Sequence, residues 1–96
     1  MVYLLHFNTP VGNANHKASH YIGYCRTNDQ LSDRLAQHRA GAGARITAHL
    51  CQTQHSDFLL ARTWPNQPRT EERRLKRYHK SAQLCPICKQ EKKNQP

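Results

Sequence analysis

The chain breaks into short segments by its pattern of apolar and polar positions. Val2–Phe7 is apolar, with β-branched and aromatic members, and is followed by the chain breakers Asn-Thr-Pro-Val-Gly-Asn-Ala-Asn. This predicts a strand and then a loop. His20–Cys25 sets Tyr21, Ile22 and Tyr24 around Gly23, which predicts a second strand whose bare glycine lets another group approach closely. The two strands are expected to pair antiparallel. Thr27-Asn28-Asp29-Gln30 fits a capping box, in which the Thr27 hydroxyl accepts from the Gln30 amide and the Gln30 side chain reaches back to the Thr27 amide. The helix opened there should stop near Gly41-Ala42-Gly43. Ala44–Cys51, with Ile46 and Leu50 four apart, predicts a shorter helix. Phe58–Trp64 predicts a third strand, ended by Pro65 and Pro68. Thr70–Ala82 has Leu75, Tyr78 and Ala82 at helical spacing, and Gln90–Pro96 is polar and expected to fray.

At 96 residues the chain has room for one domain, and one of this size buries only about 60–65% of the surface its unfolded form exposes. Fifteen Lys and Arg against six Asp and Glu give a formal charge of +9, with seven His in reserve. The partner to expect is therefore anionic. The scarcity of acids excludes sites built on three or four clustered carboxylates, such as two-metal nucleases and calcium cages. The apolar start lacks a basic leader and a small-residue cleavage site, and no stretch nears the ~20 apolar residues of a membrane span. The expectation is a cytoplasmic chain that does not meet a membrane, with its four cysteines reduced or metal-bound.

Charge sharpens the reading of two helices. On the first, the stripe at core-facing spacing is Leu31, Arg34, Leu35, His38. Two of its four members are polar, and an unpaired buried charge is costly, so a helix built only for packing would avoid them. Either their polar ends reach water at the edge of the stripe, or they serve a site. An arginine at the rim of a small sheet suits a phosphate, since its planar fork donates two hydrogen bonds and stays charged. On the last helix, Arg69–Lys80 holds six of the basic residues and the adjacent pair Glu71 and Glu72. Acids in a first turn meet the positive end of the helix dipole; alternatively, one of them holds a divalent cation while its basic neighbours draw in a polyanion. Periodicity does not choose between the two glutamates. Arg73, Arg74, Lys76 and Arg77 are the candidate phosphate contacts on this helix, with Arg39 and Arg45 extending the basic surface.

The ordered set Val2-Tyr3-Leu4, Tyr21-Ile22-Gly23, Asn28-x-x-Leu31-x-x-Arg34-Leu35-x-x-His38 and Glu72-x-x-Leu75-Lys76 resembles the GIY-YIG nuclease domain, in particular its small stand-alone members. The resemblance runs from Val2 to about Lys80. It implies an α+β fold, a small three-stranded antiparallel sheet flanked by helices, and hydrolysis of phosphodiester bonds in DNA with one divalent ion, Mg²⁺ or Mn²⁺. Residue by residue it implies that Tyr3 and Tyr21 are the motif tyrosines, Gly23 the motif glycine, Arg34 and His38 the helix pair, and Glu72 the metal ligand. In the implied chemistry Tyr3 or Tyr21 positions and deprotonates the attacking water, Arg34 offsets charge on the phosphate, and His38 carries a proton or donates to the phosphate. The chain departs from the family pattern in three respects. Met1 stands where the motif has its first glycine. The segments from Tyr3 to Tyr21 and from Tyr21 to Arg34 are longer than usual. No asparagine lies three turns beyond the glutamate, where the chain has Leu84-Cys85. The alternative is a nucleic-acid-binding module of the same fold without catalysis. Duplex or branched DNA is the expected partner, with a further protein partner in reserve.

These features divide the chain into a nuclease-like domain at 1–84 and a basic tail at 85–96. Cys85-Pro-Ile-Cys88 is half of a zinc knuckle, and a tetrahedral site needs two more ligands. Cys25, Cys51, His55 and His79 are the candidates. Without a second spaced pair, the preferred reading of Cys85 and Cys88 is two reduced cysteines that pin the tail by packing.

Overall fold

The computed structural model describes residues 1–12 and 17–93, the side chains of 91–93 excepted. Val2–Gly12 forms β1, the middle strand of a three-stranded antiparallel sheet ordered β2-β1-β3, with β2 at Lys17–Tyr24 and β3 at Phe58–Trp64. The central position follows from the run Val2, Tyr3, Leu4, Leu5, Phe7, all of them buried, because a strand apolar on both faces needs both covered. Met1, Tyr3, Leu5 and Phe7 pack with Leu50 and Phe58 on one face. Val2 and Leu4 pack with Ile22, Leu75 and Cys85 on the other. Tyr3 lies opposite Gly23 and His6 opposite His20.

β1 continues through Asn8, Thr9 and Pro10, where a loop was expected, with its pairing to β2 irregular between His6 and Val11. Such an irregularity is where a strand tolerates a proline, which has no amide hydrogen to donate. The rest of that expected loop, Asn13–Asn15, lies outside the described residues.

The first face is covered by α1 (Leu31–Arg39), α2 (Arg45–Ala48) and a π-helical turn at His49–Thr53, which bring in Leu31, Leu35, Ile46 and Leu50. The capping box does not form. A 3₁₀ turn at Asn28–Gln30 precedes α1, the Thr27 hydroxyl makes no capping bond, and the Gln30 side chain accepts from the Arg26 amide instead, at 3.1 Å. The tighter turn draws the Gln30 amide onto the Thr27 carbonyl at 3.2 Å, so the hydroxyl has no donor to cap. Gly41, at φ +81°, ends the helix as expected.

The second face carries α3 (Arg69–Arg77), α4 (Ser81–Leu84) and α5 (Pro86–Lys93). The helix expected over Thr70–Ala82 is therefore two. Leu75 is the buried residue of α3; past it, Tyr78 is 56% exposed. The amides of Tyr78 and His79 fall back onto carbonyls three residues earlier, and His79 turns left-handed at φ +50°. Lacking a second apolar anchor, the last turn tightens and the chain reverses. Gln90 and its followers are helical through Lys93, because Ile87 and Cys88 seat the first turn of α5 on the sheet and good helix formers propagate it. Residues 94–96 of the expected frayed end lie outside the described residues. Among the described residues no helix is long and apolar enough to cross a membrane.

Candidate active site

Four elements converge on one cleft of about 380 Å³. β1 contributes Tyr3, β2 Tyr21 and Tyr24, α1 Arg34 and His38, and α3 Arg69, Glu72 and Arg73, while 42–44 form the remaining wall. Arg34 and His38 reach it together because residues four apart share a helix face. Glu72 and Arg69 do so three apart on α3.

His38 does not extend to water. It is 2% exposed and held from both ring nitrogens: Nε2 lies 2.7 Å from the Tyr3 hydroxyl, and Nδ1 lies 2.8 Å from Thr47 Oγ1. The protons in this chain can be assigned. The Thr47 hydroxyl donates to the Ala44 carbonyl at 2.9 Å, so Oγ1 accepts from Nδ1–H, and Nε2 is left as the acceptor for Tyr3 O–H. The Ala44 amide, 3.4 Å from Nδ1, is a longer and weaker competitor. Burial, aided by the Arg34 guanidinium, lowers the His38 pKa to about 4, which keeps the ring neutral at physiological pH. Burial also pushes the Tyr3 phenol well above its ordinary range. The pair is thus a neutral phenol donating to a neutral imidazole. Tyr21 packs edge-on to His38, with ring centroids 5.2 Å apart.

Two glycines make the room. A Cβ on Gly23 would fall on the Tyr3 ring carbon Cζ and its hydroxyl, and one on Gly43 would fall on His38 Nδ1. Both contacts are to rigid, buried rings, so the backbone would have to move. Gly23→Ala is accordingly expected to destabilise the fold by about 1–3 kcal/mol, as overpacking does, read from the urea midpoint. An unchanged midpoint would contradict this packing.

Glu72 and Glu71 separate clearly. Glu72 lines the cleft, its side chain 16% exposed, with Lys76 Nζ 3.4 Å from Oε1. Glu71 faces away onto Arg74, whose guanidinium holds the Glu71 carboxyl below the usual range. Of the basic residues read as phosphate contacts, Arg73 lines the cleft and Lys76 sits beside it, its ammonium 5.3 Å from the Tyr21 ring centroid. Arg74 is committed to Glu71. Arg39 pairs with Asp57 at 3.0 Å and covers Phe58. Arg45 begins α2 and Arg77 ends α3, both exposed.

Tyr24, Thr47 and Arg69 also belong to the site, and sequence reasoning passed over them. Arg69 lies over the Tyr24 ring at 5.1 Å. Its spacing of three from Glu72 was the available signal. Cys85 and Cys88 pack on the second face of the sheet, with Leu75 of α3, and do not line the cleft. The residues that meet them are His6 and His20, not Cys25, Cys51, His55 or His79.

No protein-family model matches the chain, and comparison with curated proteins and with solved structures gives no match either.

Proposed function

We propose that the cleft hydrolyses phosphodiester bonds in DNA, in the manner of a one-metal GIY-YIG nuclease. The observation that carries this reading is the convergence of Tyr3, Tyr21, Arg34, His38 and Glu72, drawn from four elements, on one cleft. Three arginines and one carboxylate line it, a balance that attracts a phosphate and leaves a single acidic position for a cation.

That donor set fits Mg²⁺ or Mn²⁺, which are commonly held by one or two carboxylates with waters and substrate phosphate completing the shell. Glu72 would hold the ion, whose contribution when bound is Lewis-acid stabilisation of charge on the phosphate. The chain's own residues supply the rest. Tyr3 takes a proton from the attacking water as it passes its own to His38 Nε2, so no phenolate has to form first. The Nδ1–H bond to Thr47 keeps the imidazole in the accepting tautomer. Arg34 offers a permanent charge to the phosphate as its oxygens gain negative charge, and Arg69 and Arg73 hold the flanking backbone.

The test is an assay of the purified chain on duplex, single-stranded and branched DNA, with and without Mg²⁺ or Mn²⁺. Cleavage that needs the ion is the expected outcome. Salt-sensitive binding without cleavage would instead support a binding module of the same fold. Cleavage at full rate in a chelator would overturn the one-metal reading.

A further inference from the structure

We propose that His6, His20, Cys85 and Cys88 form a structural zinc site on the second face of the sheet, outside the cleft, clasping the C-terminal segment to the β1–β2 hairpin. Antiparallel pairing sets His6 directly across from His20. The turn between α4 and α5 brings Cys85 and, one helical turn later, Cys88 to the same place. One ligand atom from each of the four residues lies within 4.8 Å of all the others.

Four of the six separations match those of a tetrahedron. Zinc bonds of about 2.0 Å to nitrogen and about 2.3 Å to sulfur, at the tetrahedral angle, put two nitrogens about 3.3 Å apart and a nitrogen and a sulfur about 3.5 Å apart. In this chain His6 Nδ1 is 3.3 Å from His20 Nε2, 3.4 Å from Cys85 Sγ and 3.5 Å from Cys88 Sγ, and His20 Nε2 is 3.2 Å from Cys88 Sγ. Hydrogen bonding is a poor account of this cluster. His6 Nδ1 faces three partners, two of them sulfur, and a ring nitrogen carries at most one proton. One cation satisfies all four atoms at once.

The donor set names the metal. Two thiolates and two imidazoles select zinc over Mg²⁺ or Ca²⁺, which take oxygen ligands. Four protein ligands leave no open position, so the role is structural rather than catalytic. Binding releases the two thiol protons. The ligands lie at both ends of the chain, and a cross-link closing so long a loop adds most where the core is small.

The test uses the full chain and does not depend on DNA cleavage. Protein purified under reducing conditions without chelator is expected to carry one zinc per chain by mass spectrometry. Titration of the metal-free protein with Co²⁺ is expected to give the intense visible bands of a tetrahedral ion and a thiolate-to-cobalt charge-transfer band. His20→Ala and Cys88→Ser should each weaken Co²⁺ binding by more than about 100-fold, since changes to outer-shell partners alone cost about 10–100-fold. Cys51→Ser, away from the cluster, should bind as the parent does. A parent chain that carries no zinc and gives no tetrahedral cobalt spectrum overturns the proposal whether or not the variants fold. A Cys85–Cys88 disulfide that persists in reduced, zinc-supplemented protein overturns it too.

Discussion

Glu72→Ala is expected to reduce Mg²⁺-dependent DNA cleavage by about 10³-fold or more while leaving the fold almost as stable as the parent. The size of the first effect follows from the role proposed for Glu72. It is the carboxylate of the cleft lining, so its removal takes away the anchor for the ion, and losing even one preorganised transition-state contact costs about 10²–10³-fold. The smallness of the second follows from the packing. Its ion pair is with Lys76, four residues on, at 3.4 Å, and such helix pairs are worth about 0.3–0.5 kcal/mol. Glu71→Ala is the matched control: it removes an acid one position away that binds Arg74 and does not line the cleft. Cleavage rates on a nicked-circle assay, with thermal unfolding alongside, decide the matter. Parental activity in Glu72→Ala, or equal losses in both variants, would sink the assignment.

Much of this cleft could be read before any coordinates. Tyr3, Tyr21, Arg34, His38 and Glu72 come from four elements separated by long stretches of chain, yet the stripe on α1 already set two polar residues where packing alone would want none. What periodicity could not supply was which of two adjacent acids turns inward. That depends on Leu75 seating α3 on the sheet and Arg74 drawing Glu71 outward. Thr47 went unread because a small hydroxyl on an apolar helix face looks like ordinary packing. Its role depends on a proton chain running through His38.

The proposed zinc ligands show a different limit. Cys85 and Cys88 announce themselves by spacing, whereas His6 and His20 stand 14 apart with no local motif between them. Strand register is what joins them. With Tyr3 set against Gly23, antiparallel pairing continued three residues along puts His6 against His20; the expected hairpin left that register open, so the pair could not be read from it. The missed elements fail for local reasons. The capping box lost to a 3₁₀ turn, and α3 ended early because Tyr78, the next residue at helical spacing, stays exposed and does not hold another turn down.

His38→Gln is expected to lower cleavage by about 10²–10⁴-fold, the usual range for a positioned proton acceptor, and to flatten the acid side of the stability profile. The sign follows from its environment. Enclosed by Tyr3, Tyr21, Thr47 and Phe58 with Arg34 nearby, folded His38 stays neutral until pH falls to about 4, against an ordinary value of 6.5. The unfolded chain takes up this proton first. Stability from keeping the ring neutral is therefore complete above about 6.5 and is lost as pH falls from there to about 4. Integrated over that window the contribution is on the order of 3 kcal/mol. Glutamine does not titrate, so the stability lost by the variant between pH 7 and pH 4, read from urea unfolding, should be smaller by about that amount, the other histidines contributing equally to both proteins. The variant will also start from a lower stability at pH 7, because a flexible amide cannot span from the Tyr3 hydroxyl to Thr47 as the ring does. Parallel profiles for parent and variant would mean that His38 takes up its proton as readily in the folded chain as in the unfolded one, and that its enclosure does not hold the ring neutral.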